Sequence, residues 1–220
     1  MAKTYSLQFD GAKQLSKNFA VREFACPDGT DKILIDDALV LDLQAIRDYF
    51  GQPVDIGSGY RTVPYNKLIG GDPASSHLYG QAADIDVGRF ANAINARKVA
   101  MFAEAVGITR IGLYMYSDGR SWIHIGSLSE KLFWFDSNPG IRTNPKTFLP
   151  TLRRQYGLWT NMFEVKAAQE ILAAKGYYKD KIDGKFGPNM KKAVLAFQRD
   201  TKISVDGIIG PDTWRHLFRK

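Results

Sequence analysis

Two stretches of the 220-residue chain place imidazoles and carboxylates at spacings that a metal ion could use. The first runs Ser75-Ser76-His77-Leu78-Tyr79-Gly80-Gln81-Ala82-Ala83-Asp84-Ile85-Asp86. His77 and Asp84 can meet at one metal if a turn folds between them; Gly80 permits the turn, and Ala82 and Ala83 let the backbones approach. The second, Trp122-Ile123-His124-Ile125, alternates like a strand, so His124 can point into a cleft. One carboxylate and two imidazoles leave a fourth position open on zinc, which is the pattern of a catalytic site. Spacing alone leaves a second reading open, in which a histidine near an aspartate is a satisfied structural pair. The remaining histidine, His216, falls in a terminal helical stretch and reads as a surface or half-buried residue. Cys26 is the single cysteine, which excludes an intramolecular disulfide framework and a multi-cysteine zinc site. It reads as a small buried hydrophobe.

The elements that must hold these residues are legible around them. Asp36–Phe50 has Leu39, Leu43, Ile46 and Phe50 at helical spacing, with Asp36 or Asp37 as cap. Gln52–Ile56 reads as a strand ending at Gly57-Ser58-Gly59, Pro64–Ile69 as a short helix, and Ala82–Val87 as a strand. Ala91–Val106 reads as a second long helix stopped near Gly107. Ile111–Tyr116 and Trp122–Ile125 read as strands around a turn at Ser117-Asp118-Gly119-Arg120. Helices mixed with short strands predict an α+β domain over residues 1–135. Residues 136–160 carry Asn138-Pro139-Gly140, Asn144-Pro145 and Pro150, and read as a linker with some local structure.

Residues 161–220 read as a second domain. Asp183-Gly184-Lys185-Phe186-Gly187-Pro188 recurs 23 residues later as Asp206-Gly207-Ile208-Ile209-Gly210-Pro211, and each copy precedes a helical stretch. Glycine suits the turn and proline the helix start, so three short helices joined by two such turns fit the segment. The charge divides at the same place. Residues 1–150 carry 16 basic and 16 acidic side chains, whereas residues 161–220 carry 12 basic and 7 acidic. The second domain therefore favours an anionic partner, for which nucleic acid, anionic lipid and anionic wall polymer all qualify, unless the excess only aids solubility.

Two resemblances narrow these readings. Val165-Lys166, Gln169, Leu172, Gly176-Tyr177, IDGKFGP, Ala193-Val194, Phe197-Gln198 and VDGIIGPDTW resemble the three-helix peptidoglycan-binding domain of cell-wall hydrolases, over nearly all of 163–220. The pattern S-x-H-x-x-G-x-A-x-D from Ser75 to Asp84 resembles the signature of the zinc D-alanyl-D-alanine carboxypeptidase family. NFAVREF at 18–24, IGSGYR at 56–61, NKLIGG at 66–71, IGLY at 111–114 and the later Trp-Ile-His-Ile are similar to that family as well.

The second resemblance implies an α+β fold with a small antiparallel sheet and flanking helices, beside the all-α three-helix module. It implies a Zn2+ ion held by His77, Asp84 and His124. It implies Arg61 as the active-site arginine, facing a substrate carboxylate or a developing oxyanion; without the family, Arg61 reads as a surface arginine after a turn. Ser75 takes the position that can hydrogen-bond substrate, or caps its own loop. Asp86 lies on the strand face of Asp84 and would support the metal site from behind. Relatives often carry an acidic residue two positions after the second histidine, or an acidic residue or histidine just before it. Here those places hold Gly126, Trp122 and Ser121, so position assigns no general base, and neither Asp86, Asp118 nor Glu130 replaces it.

The implied activity is hydrolysis of a peptide bond in the peptidoglycan stem, as a D-Ala-D-Ala carboxypeptidase or an endolysin-type endopeptidase. The alternative is a peptidoglycan-binding protein with little or no catalysis. The basic pI of about 9.4 comes with no recognisable nucleic-acid motif, so no nucleic-acid partner is expected. No run of eighteen apolar residues spans a membrane, and MAKTYSLQFDGAKQLSK has no apolar core of a signal peptide. A monomer is expected, made in the cytoplasm and reaching the wall by release or export, as a phage endolysin does.

Overall fold

The computed structural model describes residues 1–88, 95–138, 141–154 and 162–219, which form two compact units, Met1–Lys146 and Thr147–Lys220. The fold class is α+β, with a helical second unit.

In the first unit, β1 (Lys3–Ser6) pairs antiparallel with β2 (Lys32–Ile35); between them lie α1 (Leu7–Asp10) and a 3-10 turn at Val21–Phe24. The helix α2 (Asp37–Phe50) starts where the Asp36 carboxylate accepts from the Ala38 amide, and it stops at the left-handed Gly51. Its Leu39, Leu43 and Ile46 are fully buried. There follow β3 (Val54–Ser58), α3 (Val63–Leu68), a second 3-10 turn at Ser76–Tyr79, β4 (Ala82–Val87), α4 (Ala96–Ala105), β5 (Arg110–Met115), β6 (Ser121–Gly126), β7 (Leu132–Asn138) and β8 (Ile141–Thr143).

The main sheet has the order β3-β4-β6-β5-β7-β8. Its pairs are antiparallel except β5–β7, which is parallel because the chain crosses over β5 after β6. Alternation gives the sheet two faces. Ile85, Ile111, Leu113, Ile123, Ile125 and Phe133 are buried on one face, where α2 and α4 pack. The other face carries one row across four strands in register: Asp84, His124, Gly112 and Trp134. Cross-strand neighbours on one face bring their side chains within about 5 Å. The pairing of β4 with β6 is thus what sets Asp84 beside His124.

The sheet runs through residues that read as linker. Residues 136–138 end β7 and residues 141–143 form β8, whereas 139–140 and 155–160 lie outside the described residues. Phe133 and Phe135 continue the strand alternation of β7, which pairs antiparallel with β8. The expected helix over 91–106 is observed as Ala96–Ala105, capped by the Asn95 side chain; residues 91–94 lie outside the described residues.

On α2, Asp42 is held half-buried, and burial, with the charge of Asp36 adding, pushes its carboxyl up to about 6. A folded-state value above the unfolded one means that folding takes up a proton. The penalty is absent below about pH 4, grows through the window to pH 6 and is complete above it. Asp42→Asn is therefore expected to raise stability at pH 7 by about 1 kcal/mol after allowance for partial solvent screening. Urea melts at pH 7 and pH 3.5 check this: the gain should vanish at the lower pH.

The second unit has α5 (Met162–Ala174), α6 (Pro188–Asp200) and α7 (Pro211–Phe218). Its sequence repeat has a physical cause. Gln169 accepts from the Gly184 amide and donates to Asp183 Oδ1 and the Lys185 carbonyl. Gln198 likewise accepts from the Gly207 amide and donates to Asp206 Oδ1 and the Ile208 carbonyl. Each buried carboxamide clamps the Asp-Gly turn that follows its helix. Gln198→Leu removes the acceptor of the Asp206 and Gly207 amides, while Asp206 Oδ1 keeps the Ile208 amide and the Ile208 carbonyl keeps Thr213, and it is expected to cost about 2 kcal/mol. Thermal unfolding of the variant should show the loss, with no change in metal content.

Candidate metal centre

His77 sits in the 3-10 turn Ser76–Tyr79, where Ser75 Oγ accepts from the His77 amide and Gly80 closes the turn with φ 65°. Two contacts pin this turn to the segment leaving β3. The Arg61 amide donates to the His77 carbonyl at 3.1 Å, and His77 Nδ1 lies 2.7 Å from the Gly59 carbonyl oxygen. A carbonyl oxygen only accepts, so Nδ1 carries the proton and Nε2 of the neutral ring presents a bare lone pair.

That lone pair faces the two sheet residues. His77 Nε2 is 3.2 Å from His124 Nδ1 and 3.3 Å from Asp84 Oδ2, and His124 Nδ1 is 3.0 Å from Asp84 Oδ1. Both histidines are buried, at 2% and 7% exposure, while Asp84 is partly exposed to the cleft it lines. Burial pushes His124 below the ordinary imidazole value against the pull of Asp84, which favours the neutral form that ligates metals. Burial pushes the Asp84 carboxyl up, but the imidazoles of His124 and His77 that face it outweigh burial and hold the group well below the usual carboxylate range. Asp84 is therefore an anion. Three electron-pair donors converging at one largely buried point are satisfied by a cation, and His77, Asp84 and His124 can hold one.

Arg61 is mostly buried, donating from Nε to Ser58 Oγ at 2.7 Å and from Nη2 to Asp84 Oδ2 at 2.5 Å. It fixes the Asp84 carboxylate from the side of β3. Ser75 is half-buried and its hydroxyl caps the His77 turn. Asp86 is exposed on β4, opposite Asp55 of β3, and it lines a cleft with Asp84, Ser58 and Trp122. Burial and the charge of Asp55 push the Asp86 carboxyl up. Among the described residues, no carboxylate other than Asp84 bonds to the cluster. Cys26 is buried and free, as its surroundings implied.

Sequence reasoning missed two parts of this site. The Gly59 carbonyl that sets the His77 tautomer is backbone, so no residue type announces it. The indole of Trp134 packs against His124, with ring centres 4.9 Å apart. It does so across the empty position at Gly112, where a Cβ would lie 2.3 Å from the indole. The alternation of residues 132–136 was the available signal.

Two imidazoles and a carboxylate on the open face of a helix-backed sheet are the donor set of a hydrolytic metal centre. Residues 14–126, more than half of the chain, match the peptidase M15 family, and the chain belongs to that family. Residues 163–217 match a peptidoglycan-binding domain family. The zinc D-Ala-D-Ala carboxypeptidase of Streptomyces albus G is 34% identical over 88 residues, 36% of this chain and 34% of that protein. The N-acetylmuramoyl-L-alanine amidase CwlM of Mycobacterium tuberculosis is 35% identical over 68 residues, 31% of this chain and 17% of that protein. The chain thus spans about a third or less of the length of these two relatives. A solved peptidoglycan-binding protein from Clostridioides difficile is 22% identical, covering 80% of this chain and 85% of that one, with a TM-score of 0.29, too low to relate the folds. No helix among the described residues is long and apolar enough to cross a membrane.

Proposed function

We propose that the chain hydrolyses a peptide bond of bacterial peptidoglycan stem peptides with zinc, and that its C-terminal module holds it on the wall. The observation that carries this reading is the spacing of the three ligand atoms, 3.0–3.3 Å apart around one point. Tetrahedral zinc with bonds of about 2.0–2.1 Å spaces its ligands roughly 3.3 Å apart. His77, Asp84 and His124 would hold the ion, which supplies Lewis acidity and a water of lowered pKa.

The chain's own residues do the rest. The Gly59 carbonyl keeps the His77 proton on Nδ1, and Arg61 and Ser58 keep Asp84 in place. Ser75 fixes the turn that carries His77, at the edge where a substrate backbone would pass. Asp86 adds negative charge to the cleft wall beside Asp84. The module raises the concentration of the site on an insoluble polymer, and its net positive charge suits an anionic wall. Carboxypeptidase and endopeptidase action share this chemistry and differ in which bond enters the cleft.

A second reading rests on Gly126 and on the lack of a further carboxylate at the cluster among the described residues: a wall-binding protein with weak turnover. Digestion of purified peptidoglycan by the zinc-loaded chain, with and without chelator, separates the two by mass spectrometry of the released fragments. A chelator-sensitive cut is expected, and it names the bond. Stoichiometric zinc with no cut on any wall type sinks the hydrolase reading in favour of the binding one.

A further inference from the structure

Beside His124, on the face of the sheet that the helices leave open, lies a hydroxyl with no role so far. Trp134 Nε1 donates to Tyr114 Oη at 2.9 Å. The indole packs against Gly112, whose absent Cβ would fall 2.6 Å from Nε1, and Gly112 is the direct cross-strand neighbour of His124. To reach that nitrogen, the Tyr114 side chain leans along β5 toward the row that holds Asp84 and His124. Trp122 stacks on the phenol ring, with centres 4.5 Å apart and planes 9° apart, and so fixes the lean. The charge of Asp84 is felt at the phenol.

The direction of this bond decides its meaning. An indole N–H only donates, so Tyr114 Oη accepts from Trp134 and must send its own proton elsewhere. Among the described residues, no side chain or carbonyl accepts that proton. Burial pushes the phenol up, with the Trp134 bond acting against it, so the hydroxyl keeps its proton at neutral pH. The site therefore contains an oriented neutral donor with an unused hydrogen, anchored beside a metal ligand. Its position suits a substrate oxygen better than a protein one.

We infer that Tyr114 is a further catalytic residue, whose hydroxyl donates a hydrogen bond to the carbonyl oxygen of the scissile peptide as that oxygen gains negative charge. No proton is transferred from Tyr114 and none of its bonds breaks; it stabilises charge. Trp134 is a positioning residue that acts through it. The inference rests on the hydrolase reading for its substrate, a peptide carbonyl.

The test uses the full zinc-loaded chain and Tyr114→Phe, which keeps the ring stacked on Trp122. Removing one oxyanion donor costs about 10²-fold or more in kcat. The expected result is a kcat lowered about 10²-fold, a KM within about threefold of the parent and unchanged zinc content. A second readout needs no turnover: affinity for a phosphinate dipeptide, whose tetrahedral anionic oxygen mimics the developing charge, measured by calorimetry. It should weaken at least about tenfold in Tyr114→Phe. Adding Trp134→Phe to Tyr114→Phe should cost little more, since both act through one hydroxyl. A parent that cleaves and binds phosphinate, with Tyr114→Phe matching it in both, overturns the inference and leaves the hydrolase reading standing. A parent that binds phosphinate through Tyr114 without cutting any wall supports the contact and removes the hydrolase reading. A parent that does neither removes both.

Discussion

His77→Ala is expected to empty the metal centre and leave wall binding intact. The imidazole offers one of three candidate ligand atoms and meets the other two at 3.2 and 3.3 Å. With two ligands remaining, zinc should fall from one ion per chain to below detection in metal analysis of dialysed protein. Loss of the Lewis acid removes several kcal/mol of charge stabilisation, so peptidoglycan cleavage should drop by about 10³-fold or more. The second unit, Thr147–Lys220, has its own buried core of Leu172, Val194, Phe197 and Trp214, and the substitution does not touch it. Co-sedimentation with purified walls should therefore be unchanged. Full zinc occupancy in the variant would show the ligand assignment to be wrong. Simultaneous loss of sedimentation would show that the two units do not act separately.

Gly80→Ala is expected to damage the same site without removing any ligand. Gly80 has φ 65°, and a Cβ there would lie 2.2 Å from the Leu34 carbonyl oxygen and 2.3 Å from its carbon. Both obstacles are backbone of β2, so no rotamer change relieves them. The left-handed conformation costs alanine about 1–2 kcal/mol, and the overlap adds about 1–3 kcal/mol of displacement. A destabilisation of about 3 kcal/mol is expected, which lowers the melting temperature of a domain this size by roughly 10 °C. Because Gly80 follows the His77 turn and its carbonyl accepts from the Asp36 amide, the shift should also move His77. Zinc affinity should fall about 10–100-fold, as when the supports of a metal ligand are removed. Calorimetric melting and competitive zinc titration check the two effects. A variant with parental melting and affinity would mean that the turn is not locked against β2.

Several features of this molecule followed from residue order alone. Leu39, Leu43 and Ile46 repeat at helical spacing and Asp36 stands before them, so α2 is set by local periodicity and capping. Ala82–Val87 alternates, and its strand has those bounds. The Asp-Gly repeat marks the second unit as helices joined by like turns, and the signature from Ser75 to Asp84 singles out two of the three residues that the fold brings together, His77 and Asp84. These are local facts, carried by hydrogen bonds and side-chain directions within a few residues.

What only the tertiary structure decided depends on distant backbone. Asp84 meets His124 because β4 pairs with β6 in one register; a slip by one residue would turn one of them to the helix-covered face. The His77 tautomer is set by a carbonyl 18 positions earlier, whose identity as Gly59 says nothing about its acceptor role. Arg61 meets Asp84, 23 positions later, because β3 and β4 pair, which sequence spacing does not show. The strand pair β7–β8 lies where turn residues suggested a linker, since parallel pairing of β7 with β5 is a non-local contact without a spacing signal. Trp134 reaches His124 across the side chain that Gly112 lacks, and its indole nitrogen holds the Tyr114 hydroxyl. A sequence states which atoms are available to such a site; which of them face one another is settled by strand register and by close backbone approach.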